Sequence, residues 1–282
     1  MSDLTEVESA DAYCRLLTRR HYENFIVASG LLRGRPRLDL QRIYAFCRTT
    51  DDLGDESGPA GASRLERWRS CVGEFFSGTR PVHPVLIALH ETVQRCGIPA
   101  QPFLDLIEAN AQDQTVTSYE TWPDLRAYCL LSAAPVGRMV LRVFDMWSLP
   151  AELLSDDVCI GLQLANHAQD VRRDKAKGRT YLLQSDLRSA GTVGAVRSLC
   201  ERARELLSSG RQLEAMAPGA LRFQLALYRL GGLAILNAIE RIGYRTDASR
   251  PRVSKAAHVL LAGRALLGST QGSERARRFE TV

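Results

Sequence analysis

Gln163-Leu-Ala-Asn166-His-Ala-Gln-Asp170-Val-Arg-Arg-Asp174 is the stretch whose reading decides the fold. Its polar residues Gln163, Asn166, Asp170 and Asp174 stand at i, i+3, i+7 and i+11, one face of an α-helix, while Leu162, Leu164 and Ala165 make the rest apolar. A second stretch repeats the arrangement: Tyr44, Arg48, Asp51 and Asp55 stand at i, i+4, i+7 and i+11 among Ile43, Phe46 and Cys47. A polar row on a helix apolar enough to be buried must face a partner or a cavity. Asp51 with Asp55, and Asp170 with Asp174, put like charges one turn apart, which opposes helix formation by roughly 0.2–0.5 kcal/mol per pair. Four carboxylates gathered in a bundle would raise one another's pKa unless positive charge sits between them. Mg²⁺ answers that need, because it takes a few carboxylates together with the oxygens of a substrate phosphate. A single Asp-x-x-x-Asp is ordinarily a solvated face. Two of them, each within a matching polar stripe, favour the metal reading.

Outward from these stripes, the chain reads as helix throughout. Apolar residues recur at helical spacing in stretches rich in Leu, Ala, Arg and Glu. The pattern predicts helices near 9–20, 37–53, 62–76, 84–96, 101–113, 122–146, 156–174, 192–215, 219–243 and 252–267. Ser63 with Glu66 and Thr121 with Asp124 have capping-box spacing. Gly97-Ile98-Pro99 ends one helix, Ser148-Leu149-Pro150 follows another, and Pro135 should kink or break the 122–146 segment. Residues 54–61 and 175–191 read as loops. No strand alternation or fixed-period repeat intervenes, so the expectation is one all-α domain over 1–282, with a basic tail from about residue 268.

The 282 residues are 45% hydrophobic, which excludes a disordered chain. The most apolar run, Leu225 to Ile239, is broken by Arg229 and Gly231-Gly232 and is too short to cross a bilayer. Glu6 and Glu8 precede any apolar run, against a secretory signal. Seven cysteines without a CxxC pair argue for reduced thiols. From Arg250 to Val282 there are seven basic residues against Glu274 and Glu280, which accounts for the whole net charge of +5. The body has no basic stripe, so nucleic acid is not an expected partner. A di-iron carboxylate bundle needs Glu-x-x-His pairs, of which there are none. P-loop, Rossmann, nucleophile-elbow and HExxH signatures are also missing.

Arg48-Thr-Thr-Asp51-Asp52-Leu-Gly-Asp55-Glu56 and the stretch from Gln163 to Asp174, followed by Lys177-Gly-Arg179-Thr-Tyr181, resemble the two aspartate-rich motifs of the squalene/phytoene synthase family. The resemblance runs from about His21 to Lys255. The opening His21-Tyr22-Glu23-Asn24-Phe25 with Val27-Ala28-Ser29 looks like the bacterial branch that makes hydroxysqualene in the hopanoid pathway. It implies an isoprenoid-synthase fold around a central cavity. Asp51, Asp55, Asp170 and Asp174 would then be catalytic, holding Mg²⁺ against a diphosphate with help from Asn166. By the same resemblance His21, Arg48 and Tyr128 contact the diphosphate, Gln163 lies near the reacting carbons, and Tyr244 falls near a late diphosphate-contacting tyrosine.

Three positions depart from the family pattern: Glu23 where several relatives carry lysine, Gln169 where they often carry arginine, and Ala133-Ala-Pro-Val-Gly137 in place of Ala-Gly-Thr-Val-Gly. The first two remove positive charge, which favours a site that ionises one diphosphate over one that condenses two. The expected reaction is ionisation of presqualene diphosphate and capture by water, without NADPH. Phe25, Tyr44 and Phe46 are candidates to face a carbocation, although Phe46 suits core packing better. Asp52 and Glu56 point roughly 100° off the motif face, and the basic run from Arg172 to Arg179 reads first as a solvated face. Head-to-head condensation of two prenyl diphosphates and a non-catalytic scaffold of the same fold remain as alternatives. A cytoplasmic chain is expected, with the basic tail and lipid-like substrate compatible with loose attachment to the inner face of a membrane and with other squalene-pathway enzymes as partners.

Overall fold

The computed structural model describes residues 2–20, 32–55, 59–254, 260–263 and 265. Among them lie twelve helices and no strand: α1 (Ser2–Arg20), α2 (Arg35–Gly54), α3 (Pro59–Phe76), α4 (Pro84–Cys96), α5 (Gln101–Gln112), α6 (Trp122–Ser132), α7 (Ala134–Val143), α8 (Leu149–Gln169), α9 (Val171–Ala176), α10 (Gln184–Ser208), α11 (Gly210–Met216) and α12 (Gly219–Arg241). The residues group into two compact units, Met1–Thr115 with Leu131–Trp147, and Val116–Leu130 with Ser148–Val282. No helix among the described residues is long and apolar enough to cross a membrane.

Local chemistry sets most helix ends. Pro84 opens α4 behind His83, whose Nδ1 accepts from the Val85 N–H at 3.3 Å, and Gly97 closes it in the left-handed region at φ 59°, where a side chain would be strained. Thr121 donates to the Asp124 carboxylate from both its N–H (2.9 Å) and its hydroxyl (2.7 Å), which supplies the carboxylate half of the predicted capping box. Pro135 does break the 122–146 segment, into α6 and α7. Four expectations need correction. Ser63 is no cap, because α3 starts earlier, at Pro59. The 156–174 helix starts earlier, at Leu149, because Ser148, which follows α7 as expected, caps α8, accepting from the Ala151 N–H at 3.3 Å. The 175–191 loop is too long, since helix begins at Gln184, although Gly191 (φ 65°, ψ −177°) breaks α10 with a kink just before the helix expected from 192. The 192–215 helix divides at Ser209 into α10 and α11. The 252–267 helix falls largely outside the described residues.

In the first unit, Phe46 stacks on Trp68 (5.5 Å) and meets Phe103 edge-on (4.8 Å), which makes it a core residue. The Trp68 indole N–H donates to Thr50 at 2.9 Å, so the buried ring leaves no polar atom unpaired. Beside this core lies a buried charge hub. Arg42 forks onto both oxygens of Asp11 (2.7 and 2.9 Å) and donates to Glu91 and Thr92 (both 3.1 Å). Thr92 donates to Asp39 at 2.7 Å, and Arg95 reaches the other Asp39 oxygen at 2.5 Å. Helices α1, α2 and α4 are thus tied by one guanidinium that is 1% exposed.

In the second unit, α8 packs against α10 and α12 through glycines. A Cβ on Gly161 would lie 3.0 Å from Leu207, and one on Gly232 would lie 2.8 Å from Leu162. Bare backbone at both points lets the helix that carries the second motif pack closely against its neighbours.

Arg42→Ala leaves Asp11 buried without its cation and should cost about 3–5 kcal/mol, seen as a lower urea midpoint. Arg42→Lys should recover only part of the loss, because an ammonium cannot fork onto Asp11.

Candidate active site

The first motif lies at the C-terminal end of α2. The glycine within it, a poor helix former, has a packing reason: a Cβ at Gly54 would sit 2.1 Å from Asn110 Oδ1 on α5. With that space clear, Asn110 Nδ2 reaches Asp51 Oδ1 at 3.4 Å while holding the Leu106 carbonyl at 3.0 Å. Arg48 donates to Asp52, one turn on, so Asp52 is the partner of the motif's own arginine. The Arg48 Nε is buried with no hydrogen-bond partner among the described residues, a donor left for an acceptor from outside. Solvent reaches Asp51, yet the surrounding protein desolvates its carboxyl and pushes it up to about 6. Asn110 and Arg48 oppose that rise, and Asp55 and Asp52 add to it. Tyr44 is half-buried on the same helix.

The second motif straddles a junction. Asp170 lies between α8 and α9, at φ −100° and ψ 15°, so the expected 156–174 helix is not continuous. Its phase nevertheless survives, because Asp170 N–H donates to Asn166 O and Asp174 N–H to Asp170 O, both at 2.9 Å. Asn166 is exposed, and Gln163, Asp170 and Asp174 are half-buried. Burial pushes the Asp174 carboxyl up to about 6, and the charge on Asp170 adds to it. Asp170 itself is held by Arg250, which donates to both its oxygens through Nε and Nη2. The Gln169 position lacks the arginine that the resemblance leads one to expect, but Arg250 restores that charge in space. Gln169 thus does not leave Asp170 without a positive partner.

The remaining predicted residues divide. Tyr128 is buried in an aromatic stack with Tyr119 (5.2 Å), Tyr181 (5.6 Å) and His167 (6.3 Å). His167 lies 3.7 Å from Tyr181, and burial lowers its pKa to about 3, so it is a neutral member of that stack. Tyr244 adopts a positive φ of 61° after α12 and lies under the Arg197 guanidinium of α10, 5.1 Å from the ring centre. His21, Glu23, Phe25 and Glu56 lie outside the described residues. Sequence reasoning missed Asn110 and Arg250, whose partners are 59 and 80 residues away along the chain.

No group of three or more His, Cys, Asp or Glu among the described residues is arranged to hold a metal alone. The donors come as carboxylate pairs, with Asn166 beside the second. Mg²⁺ characteristically binds through one or two carboxylates and completes its shell with water and substrate phosphate. Burial raises the carboxyls of Asp51 and Asp174 more than the neighbouring cations lower them, and a cation that arrives with a phosphorylated ligand would offset that cost.

Ionised Asp174 is a cost to the ligand-free fold. Because its folded pKa is raised, that cost begins above the ordinary carboxylate value of about 4 and is complete above about 6. Asp174→Asn should therefore raise the melting temperature at pH 7 by ~2 °C or more. The gain should fade as pH falls through that window and vanish below about 3.5, in paired thermal melts without added metal.

The squalene/phytoene synthase family model matches residues 18–257. A hydroxysqualene synthase from Rhodopseudomonas palustris is 33% identical over 74% of the chain and 73% of its own length. A chloroplastic phytoene synthase from Zea mays is 29% identical over 95% of the chain and 70% of its own length. Among solved structures, the squalene synthase HpnC from Alicyclobacillus acidocaldarius superposes with a TM-score of 0.80 at 42% identity, covering 85% of this chain and 96% of that one. A dehydrosqualene synthase superposes at 0.82 with 25% identity, covering 93% and 97%. The all-α architecture is of the isoprenoid-synthase type. With two aspartate motifs seated as described and a family match across most of its length, the chain belongs to the squalene/phytoene synthase family, whose members act on prenyl diphosphates.

Proposed function

We propose that the protein converts presqualene diphosphate and water to hydroxysqualene and diphosphate, as a Mg²⁺-dependent carbon–oxygen lyase of hopanoid biosynthesis. The observation that carries this over its alternative is the likeness to two hydroxysqualene synthases, 33% and 32% identical, each over 74% of the chain, together with the His21-to-Phe25 opening. The opposing reading, head-to-head condensation of two prenyl diphosphates, is favoured by the phytoene synthases at 29–31% identity. The net charge at the second motif does not separate the two, because Arg250 offsets Gln169.

In this reading Mg²⁺ would be held by Asp51 and Asp55 at the first motif and by Asp170, Asp174 and Asn166 at the second. When bound, that cation neutralises charge gathering on the departing diphosphate, which is catalysis by electrostatics and positioning. Arg48 contributes its unpartnered Nε–H to a phosphate oxygen, joined by His21, Tyr128 and Tyr244 as diphosphate contacts. Asn110 keeps Asp51 oriented while the cation binds. In this reading Gln163 would lie near the reacting carbons, the half-buried Tyr44 is a candidate ring to face the carbocation, and apolar walls would keep bulk water out until the cyclopropylcarbinyl cation has rearranged. Water, not hydride, then closes the reaction, so NADPH is not consumed. The protein is cytoplasmic in this reading. The lipid-like substrate brings it to the inner face of the membrane and into the company of other squalene-pathway enzymes.

Incubation with presqualene diphosphate and Mg²⁺ in the absence of NADPH should yield a C30 alcohol by mass spectrometry, and excess EDTA should abolish it. Conversion of farnesyl diphosphate alone to a C30 diphosphate would move the protein to the condensing branch. Inertness to both would leave a scaffold. Asp51→Asn or Asp170→Asn should cut turnover at least ~100-fold with an unchanged circular dichroism spectrum; near-wild-type rates in either would remove that residue from the metal site.

A further inference from the structure

Gln169 is 7% exposed, and its amide works in both directions. Its Nε2 donates to the Pro251 carbonyl at 2.7 Å, and its Oε1 accepts from Arg250 Nη2 at 3.3 Å. An amide side chain gives and takes from two separate atoms; an arginine at 169 has no acceptor and would repel Arg250. Arg172 adds a third tie, donating to the Ala248 carbonyl at 3.2 Å. The segment 248–251 is thereby laid over the second aspartate motif, with the Arg250 fork spanning both oxygens of Asp170.

A fork that uses both carboxylate oxygens competes directly with a hard cation seeking either one. The pair is also built to be undone. The Arg250 side chain is 41% exposed and that of Asp170 19%, and ion pairs open to solvent are weak. With Arg250 in place, the charge on Asp170 is countered without metal, while that on Asp174 is not. The anchoring bond from Gln169 to the Pro251 carbonyl does not involve the guanidinium, so the arginine can leave Asp170 while its backbone stays tethered.

We propose that Arg250, seated by Gln169, is a placeholder cation: it occupies Asp170 in the ligand-free protein and yields it to the divalent cation. Arg250 is thus a positioning residue for the metal. The proposal rests on the reading of Asp170 as a metal ligand.

Titration with Mn²⁺ in place of Mg²⁺, followed by the loss of the free-ion electron paramagnetic resonance signal, tests this without turnover. R250Q should bind Mn²⁺ about fivefold more tightly than wild type, and R250K should fall between them. R172Q, which removes an equal charge from the same segment's contacts, should gain much less. Affinity in R250Q equal to or weaker than wild type overturns the proposal, as does an equal gain in R172Q, which would reduce the effect to a general field. A wild-type protein that takes up no Mn²⁺, with or without inorganic pyrophosphate, would instead remove the metal reading beneath it.

Discussion

Carboxylates one helical turn apart cannot all stay ionised in a crowded site unless positive charge reaches them, and much of the local structure around both motifs answers that constraint. At the first motif the answer is partial. Arg48 turns to Asp52, and Asp51 receives only an amide hydrogen bond from Asn110. At the second, Arg250 covers Asp170, while Asp174 keeps a carboxyl raised to about 6. The protein therefore holds its motif charges incompletely compensated, which is the state in which a divalent cation gains most by binding.

The Arg42 hub shows what the same chain does with charge that serves packing. Asp11 and Asp39 are buried more deeply than any aspartate of the motifs, yet each accepts from a guanidinium, and Thr92 takes part as well. Nothing in that network waits for a ligand. The difference between a completed and an incomplete charge network, within one chain and in the same kind of helical surroundings, separates a structural cluster from a functional one. Both are dense in Asp and Arg, so composition alone does not make the distinction.

Much of the helical layout was legible because its signals are local. Gly97 needs a left-handed conformation, Pro135 removes a backbone donor, and Thr121 has an acceptor three residues on. Where the reading slipped, the local signal pointed elsewhere. Residues 184–190 read as loop but are helical, and Gly191, at φ 65° and ψ −177°, sets them off by a kink from the helix expected from 192. Ser63 and Glu66 have the right spacing but lie within a helix already begun at Pro59. The motif aspartates were legible from periodicity, whereas Asn110 and Arg250 were not. Each acts through a contact formed only after folding, and neither carries a periodic signature.

Gln169 shows how far single-position reasoning carries. As a residue, it is a lost positive charge. In space, it is the acceptor and donor that bring a different arginine to the same carboxylate. Charge supplied by the helix itself would be fixed beside the motif, whereas charge supplied from 248–251 comes on a segment whose hold on Asp170 can be released. Moving a cation from the helix to a tethered strand of chain thus leaves the electrostatic sum unchanged while altering what that charge can do. The exchange at Asp170 becomes one between two cations, and its balance depends on the geometry of a single buried amide.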